Sequence, residues 1–248
     1  MVYSEKFYIG FSDVGADLGV LNSSILRIFE DVCCLQGEAV GDGFRDTTGR
    51  WFVTAYYVKV LKRPQYGEWV TARTWSREMK GVSASREFEL LSADGEPMVI
   101  ALSNWARFNS AVGKLERMSD EAFAKYESEP ERHNFDDPWI KKLHTAEIER
   151  AARLRCEPEF SREYFVDRNL IDPNRHMNNV RYLDIASLVL PEEVYQLGEA
   201  NEFEITYRKA IAYGETVACQ YSEDDTARYI SMSVGDPKDV RAIIKMHK

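Results

Sequence analysis

The sequence predicts an α+β fold made of two similar halves, each containing a helix followed by antiparallel strands. Three observations support this prediction. Residues 22–40 carry apolar side chains at helical spacing, and runs rich in aromatic and β-branched residues follow them. The same order of a helix and then strands returns later in the chain. A segment after the first helix also matches a segment after the second without gaps, which indicates an internal duplication.

The first predicted element is an amphipathic helix at residues 22–40. Asn22, Ser23 or Ser24 can supply its N-cap. The residues that we expect on its apolar face are Ile25, Ile28, Phe29, Val32 and Ala39. Such a face must be buried, and a sheet curling around the helix is the simplest way to bury it.

Strands are predicted at residues 51–64, 68–79 and 83–109, where β-branched and aromatic side chains dominate. Within the last run, Asp94-Gly95 tolerates the positive φ angles that a tight hairpin turn demands. We therefore expect antiparallel pairing.

The second half follows a charged, partly helical connector that contains Pro130 and Pro138. It has an extended run around residues 164–166, a helix from Asn178 to Leu190 and further strands. The predicted boundaries are 1–125 for an N-terminal domain, 126–155 for the connector and 156–248 for a C-terminal domain.

The duplication can be read in the letters themselves. Residues 58–72, VKVLKRPQYGEWVTA, align with residues 205–219, ITYRKAIAYGETVAC, and both copies contain Tyr-Gly-Glu. Two such halves would form a pseudo-dimer within one chain.

Composition restricts the class of protein. The chain has 248 residues, 44% of them hydrophobic, which suffices for one large core or two smaller ones. It lacks an apolar run of about eighteen residues and a signal-like N-terminus, so we expect no membrane contact. The formal net charge of -9 argues against nucleic acid as a partner. The cysteines Cys33, Cys34, Cys156 and Cys219 form no Cys-x-x-Cys pair, which favours the reducing cytoplasm.

A cluster of polar residues stands out at residues 171–182, IDPNRHMNNVRY. Asp172, Asn174 and His176 precede the second predicted helix, and the free N–H groups and dipole at a helix start attract negative charge. We therefore expect these side chains to lie at a site where negative charge develops on a substrate during a reaction.

The chain resembles the acyl-acyl carrier protein thioesterases, plant and bacterial enzymes built from two hotdog domains. The resemblance rests on residues 172–182, Tyr207-Arg208-Lys209, Thr74-Trp75, Arg86 and Ser103-Asn104-Trp105. It implies a tandem double hotdog, in which each of two antiparallel sheets wraps around a central helix. It also implies hydrolysis of fatty acyl thioesters on acyl carrier protein, which releases the fatty acid and ends chain elongation.

Thioester hydrolysis could use all three polar side chains. Asp172 could activate water as a general base or attack the carbonyl itself, and the sequence leaves both routes open. His176, as a neutral imidazole, could position water or the thioester. Asn174 could donate to the carbonyl and accept from water. We predict Asn178 and Asn179 as substrate-binding residues, with ordinary helix capping as the alternative.

The first half of the chain provides an internal control. Aligning Leu21-Asn22-Ser23 with Met177-Asn178-Asn179 places apolar residues opposite the three polar ones, namely Ala16, Leu18 and Val20. Capping alone would require polar residues in both copies. The one-sided motif therefore predicts one active site per chain, in the C-terminal half, while the N-terminal half would furnish an apolar tunnel for the acyl chain.

One departure from the plant relatives concerns catalysis. Where they carry a glutamate and a cysteine that are proposed as catalytic, this chain has Ala210 and Ile211, which can act neither as acid, base nor nucleophile. His176 also has no His or Cys at three- or four-residue spacing, so we predict no metal and no cofactor.

The resemblance implies acyl carrier protein, an acidic protein, as the partner. Because this chain is acidic too, docking requires a local basic surface, for which Arg175 and Arg181 are the predicted residues. Lys59, Lys62 and Arg63 are further candidates, and a homodimer is left open.

Two other functions also stay open: an acyl-CoA thioesterase and a non-catalytic protein that binds acyl thioesters. A hotdog dehydratase ranks third because no second ionisable group pairs with His176 in the sequence.

Overall fold

The chain folds into two units, Met1–Ile140 (unit 1) and Lys141–Lys248 (unit 2), in a computed structural model that describes residues 1–45, 47–154 and 160–248. The predicted domain boundaries stay a proposal, since the one between residues 155 and 156 lies outside the described residues.

Unit 1 is an antiparallel sheet with an accompanying long helix. Its elements are β1 (Tyr3–Tyr8), α1 (Asn22–Ala39), β2 (Gly49–Val60), β3 (Trp69–Lys80), β4 (Ser83–Leu91), β5 (Pro97–Asn109), β6 (Lys114–Leu115) and α2 (Asp120–Ala124). The strands lie in the order β1-β3-β4-β5-β2, with β6 paired to β5. The strands predicted at 51–64, 68–79 and 83–109 are therefore confirmed, whereas β1 was not predicted.

Helix α1 buries its apolar face, as the periodicity predicted. Ile25, Ile28, Phe29 and Val32 are fully buried. The rings of Phe29 and Phe88 lie 4.7 Å apart between their centroids, so the helix packs directly on β4.

The start and end of α1 differ from the prediction. Leu21 occupies the N-cap position without a side-chain bond, and Asn22, Ser23 and Ser24 are buried within the first turn. The N-cap prediction was therefore wrong, because the helix begins one residue earlier than a cap at these positions requires, and Asn22 instead accepts from the Arg63 guanidinium at 3.0 Å. Ala39, which we expected on the apolar face, is exposed in the last turn.

The hairpin predicted at Asp94-Gly95 connects β4 and β5. Gly95 has a φ of 87°, in the left-handed region that glycine adopts without strain. Its N–H donates to the carbonyl oxygen of Ser92 at 3.0 Å, and β4 and β5 pair antiparallel.

Unit 2 repeats the strand order of unit 1. Its elements are α3 (Thr145–Leu154), β7 (Phe160–Phe165), α4 (Arg181–Ser187), α5 (Glu192–Tyr195), β8 (Glu202–Tyr207), β9 (Thr216–Glu223), β10 (Ala227–Val234) and β11 (Asp236–His247). The strands lie in the order β7-β9-β10-β11-β8. Each strand thus has a counterpart at the same place in unit 1, and the predicted duplication is confirmed.

Helix α4 is shorter than the predicted helix from Asn178 to Leu190. It buries Tyr182, Ile185 and Ala186, and the Tyr182 ring packs edge-on against Tyr207 with centroids 5.1 Å apart. Within the described ranges, no helix combines the length and the apolar character that a membrane crossing needs.

The charged segment that we predicted as a connector packs against both sheets. In unit 1 the indole N–H of Trp75 donates to the carbonyl oxygen of Arg132 at 2.9 Å. In unit 2 Ala151 of α3 is fully buried together with Ala227 and Tyr229 of β10.

Candidate active site

The polar motif forms a closed turn ahead of α4. The N–H of Asp172 donates to the carbonyl oxygen of His176 at 2.9 Å, and the N–H of Arg175 donates to that of Asp172 at 2.9 Å. Ile171 and Met177 pair as an antiparallel bridge at the base. Arg175, with a φ of 65°, lies in the left-handed region. The motif therefore lies in a turn several residues before α4, and the expected placement at the helix start was wrong.

The carboxylate of Asp172 organises this turn. Its Oδ1 accepts from the backbone N–H of Asn174 at 2.8 Å and of His176 at 3.2 Å. Its Oδ2 accepts from the side-chain amide of Asn174 at 3.3 Å. The turn thus brings together the three predicted catalytic residues, each of them half-buried.

The segment between β8 and β9 holds His176 from the other side. His176 pairs with Ala212 as an antiparallel bridge, and the N–H of Met177 donates to the carbonyl oxygen of Ile211 at 2.8 Å. The N–H of Ala212 in turn donates to Oε2 of Glu215 at 2.7 Å. Ile211 therefore contributes its backbone to the site, while its side chain is fully buried.

A buried arginine, Arg241 of β11, fixes that segment. Its guanidinium donates to the carbonyl oxygen of Ala210 at 2.7 Å, to Glu215 at 3.2 Å and to Asp239 at 2.9 Å. Burial alone would lower the pKa of Arg241, but the neighbouring Asp239 and Glu215 carboxylates raise it, so the guanidinium stays charged. Sequence reasoning missed Arg241 and Glu215, although the repeated Tyr-Gly-Glu was a signal for Glu215.

The two asparagines after the turn make structural contacts. Oδ1 of Asn178 accepts from the N–H of Val180 at 2.8 Å, which closes a turn just ahead of α4, whose N-cap is Val180 and neither asparagine. The carbonyl oxygen of Asn179 accepts from the Tyr207 hydroxyl at 2.9 Å. Substrate binding by either side chain stays a prediction.

The two arginines of the motif are both exposed but differ in their partners. Arg181 forms an ion pair with Asp184 at 2.9 Å. Arg175 forms no ion pair with any residue that the structure describes. The other predicted docking residues, Lys59, Lys62 and Arg63, belong to unit 1.

Unit 1 contains the same turn. The N–H of Gly15 donates to the carbonyl oxygen of Gly19 at 2.9 Å, and that of Leu18 donates to Gly15 at 3.0 Å. Val14 and Val20 form the bridge at its base, and Leu18 has a φ of 63°. These contacts match those of the unit 2 turn bond for bond.

The match corrects the predicted alignment by one residue. The residues opposite Asp172, Asn174 and His176 are Gly15, Asp17 and Gly19, not Ala16, Leu18 and Val20. Asp17 accepts from the N–H of Gly19 at 3.0 Å, so a carboxylate closes the turn in both copies. The amide of Asn174 and the imidazole of His176 have no equivalent in unit 1. Across the described residues, no group of three or more His, Cys, Asp or Glu side chains could hold a metal ion.

Family models match both halves of the sequence. Residues 1–126 match the acyl-ACP thioesterase N-terminal domain, and residues 155–242 match the acyl-ACP thioesterase C-terminal domain.

Curated plant proteins are similar over most of this chain. Oleoyl-acyl carrier protein thioesterase 1 of Arabidopsis thaliana is 25% identical over 230 residues, which cover 87% of this chain and 62% of the relative. A palmitoyl-acyl carrier protein thioesterase of Cuphea hookeriana is 25% identical over 227 residues, covering 84% and 52%. The chain thus spans less than two thirds of the length of these relatives.

Solved structures show the same fold. An acyl-ACP thioesterase from Bacteroides thetaiotaomicron has a TM-score of 0.83 at 16% identity, covering 100% of this chain and 98% of that one. The 12:0-ACP thioesterase from Umbellularia californica has a TM-score of 0.80 at 16% identity, covering 100% and 98%. The predicted α+β class and tandem double hotdog are confirmed.

Proposed function

We propose a function from one premise: the chain belongs to the acyl-ACP thioesterase family. It hydrolyses the thioester between a fatty acyl group and acyl carrier protein, releasing the fatty acid and the thiol of the carrier. One observation carries this proposal. Unit 2 adds the Asn174 amide and the His176 imidazole to a turn that unit 1 closes without them.

The geometry of Asp172 favours water, and not the carboxylate, as the nucleophile. Both oxygens of Asp172 accept hydrogen bonds from the backbone or side chain of Asn174, and Oδ1 also accepts from His176. Attack on the thioester by Asp172 would break the bonds that hold the other two residues. Asp172 is therefore proposed to position Asn174 and His176 and to keep a negative charge beside them.

The reaction then proceeds in two steps. His176 takes a proton from water while the water oxygen bonds to the carbonyl carbon, and negative charge develops on the carbonyl oxygen. The amide N–H of Asn174 stabilises this oxyanion, an effect typically worth about 3 kcal/mol per donor. The C–S bond then breaks, and the imidazolium returns the proton to the leaving thiolate. Ala210 and Ile211 take part only through their backbone atoms.

Substitution of the turn residues tests these roles. His176→Ala and Asp172→Asn should each lower kcat by about a hundredfold or more, because each removes a group that the transition state requires. Thiol release from purified acyl carrier substrate measures kcat, and thermal unfolding checks the fold. His176→Ala keeps the backbone bonds and the Asp172 bonds that close the turn, so its melting temperature should change little. Near-normal turnover in either variant would refute the assigned roles.

The carrier is the second part of the proposal. The similar plant proteins and the solved Umbellularia californica structure are thioesterases of acyl carrier protein substrates by name, which supports acyl carrier protein as the carrier. Kinetics with one acyl chain on the carrier and on CoA should give the higher kcat/KM with the carrier. The reverse order would favour the acyl-CoA alternative, and thiol release from neither would favour a non-catalytic binder. A cytoplasmic location without membrane or nucleic-acid partners stays a prediction, and the assembly state stays open, a homodimer included.

A further inference from the structure

Exposed arginines lie in the catalytic turn of unit 2 and in the two segments whose backbones bond to it, at positions where unit 1 carries apolar residues. The equivalence rests on matching backbone bonds. The N–H of Leu21 donates to Asp13 as that of Asn178 donates to Leu170, each at 2.9 Å. The residues that pair by this equivalence and by the Tyr-Gly-Glu repeat are Phe11 with Arg168, Leu18 with Arg175, and Leu61 with Arg208.

Packing does not explain the exchange of apolar residues for arginines. Phe11 is 78% exposed, Leu18 is 50% exposed and Leu61 is 56% exposed. Their counterparts in unit 2 are exposed as well. Because the side chains face outward in both copies, the fold of each unit accepts either type. The cations in unit 2 therefore serve something outside the fold.

The charges of the three arginines are also not compensated by ion pairs within the described residues. Among the residues that the structure describes, none of Arg168, Arg175 and Arg208 forms an ion pair. Two other cations near the motif are compensated, since Arg181 pairs with Asp184 at 2.9 Å and Lys209 pairs with Asp239 at 3.3 Å. The basic surface thus keeps the predicted Arg175 and adds Arg168 and Arg208, while docking by Arg181 stays a prediction.

Aromatic side chains complete this surface. The guanidinium of Arg168 lies 5.6 Å from the ring centroid of Tyr213, and Phe165 packs edge-on against the same ring at 6.5 Å. His176 and Ala212 pair as an antiparallel bridge. Tyr213 follows Ala212 and Arg175 precedes His176, so Tyr213 and Arg175 are neighbours across this bridge. Tyr213 is 50% exposed and Phe165 is 53% exposed. Exposed aromatic and arginine residues together are typical of protein interfaces.

We propose that Arg168, Arg175 and Arg208, here called the arginine surface, dock an acidic protein that carries the acyl thioester. This inference rests on the proposed function, in which that protein is acyl carrier protein. The chain as a whole has a formal net charge of -9 and repels an acidic partner, so attraction must be local. A carrier bound there presents its thioester beside Asn174 and His176.

Charge reversal in the full chain tests the docking surface. The triple variant Arg168→Glu/Arg175→Glu/Arg208→Glu should raise KM for the acyl carrier substrate by about tenfold or more at low salt. It should also flatten the salt dependence of kcat/KM, because screening acts over about 8 Å at physiological ionic strength. The double variant Arg168→Glu/Arg208→Glu, which leaves the catalytic turn unaltered, should hydrolyse a carrier-free acyl N-acetylcysteamine thioester at the rate of the unaltered enzyme.

Two further variants guard against trivial explanations. The triple variant Lys141→Glu/Arg162→Glu/Lys238→Glu changes the net charge equally at exposed positions elsewhere in unit 2, and its KM should stay normal. Replacement of the three surface arginines by Gln should give a KM between those of the unaltered enzyme and the Glu variant. The Gln variant replaces the Glu variant in the test if the Glu variant does not fold.

Each alternative outcome is distinct. An equal rise in KM for acyl-CoA would overturn the inference, because the arginines would then bind phosphate groups that both carriers possess. An unchanged KM for the acyl carrier substrate in an active variant would also overturn it. If the unaltered enzyme cleaves no thioester, the proposed function fails. Binding of a carrier with a non-hydrolysable acyl amide, compared between the unaltered chain and the triple variant, then still decides the docking inference.

Discussion

At the scale of single residues, the two carboxylate oxygens of Asp172 close a turn and hold Asn174 and His176, the groups that we propose as catalytic. In unit 1 the closing carboxylate is Asp17, which stands opposite Asn174. In unit 2 the closing carboxylate is at position 172. Position 174 can therefore carry an amide, and position 176 carries an imidazole. The two turns thus share a backbone and differ in the side chains to which we assign the chemistry.

Thiol-alkylating reagents should leave turnover intact, because no described cysteine lies in the turn. Cys34 is exposed, and its hydrogen bond with Cys33 lowers the pKa of its thiol, so Cys34 should react first. Burial raises the pKa of Cys219 to about 12, which keeps it protonated and unreactive. Cys156 lies outside the described residues. Peptide mass spectrometry and a turnover assay measure the outcome. Stoichiometric inactivation with an unchanged melting temperature would indicate a cysteine nucleophile.

At the scale of elements, the strands were predictable because their apolar and β-branched residues form long runs. Strand β1 was missed, since Tyr3–Tyr8 is mostly exposed and polar and forms only by pairing with β3. The start of α4 was misplaced for a different reason. Asparagine is common both at helix starts and in turns. Here Asn178 accepts from the Val180 N–H and forms a turn, and the helix begins only at Arg181.

Two glycines of unit 1 should respond oppositely to alanine. A Cβ at Gly49 would overlap the side chains of Arg107 and Glu116, and Arg107 holds Asp42 at 2.8 Å and 3.0 Å. Gly49→Ala should therefore destabilise unit 1 by about 1–3 kcal/mol. A Cβ at Gly37 in α1 would meet its nearest atom at 3.5 Å, an ordinary contact. Gly37→Ala should stabilise by about 0.5–1 kcal/mol. Urea unfolding measures both, and shifts of the same sign would contradict this packing.

At the scale of the whole chain, the duplication was predictable because Tyr-Gly-Glu performs the same task twice. Gly67 and Gly214 have φ angles of 87° and 85°. Glu68 and Glu215 each accept from a backbone N–H three residues earlier, at 2.9 Å and 2.7 Å. The positive φ angle and the glutamate hydrogen bond explain why both copies contain Tyr-Gly-Glu. The turn lacks such shared letters, so its alignment slipped by one residue and only the hydrogen bonds revealed Asp17 as the partner of Asn174.

Equivalent positions in the two turns should separate chemistry from folding. Asn174→Ala should lower kcat by about a hundredfold, the range for a lost oxyanion donor, with little change in melting temperature. Asp17→Ala should remove the bond to the Gly19 N–H at 3.0 Å and cost about 1–3 kcal/mol of stability, while kcat of the folded protein stays normal. Turnover and thermal unfolding of the two variants measure this division. A loss of kcat in Asp17→Ala as large as in Asn174→Ala would mean that both turns take part in catalysis and that the chain does not have a single active site.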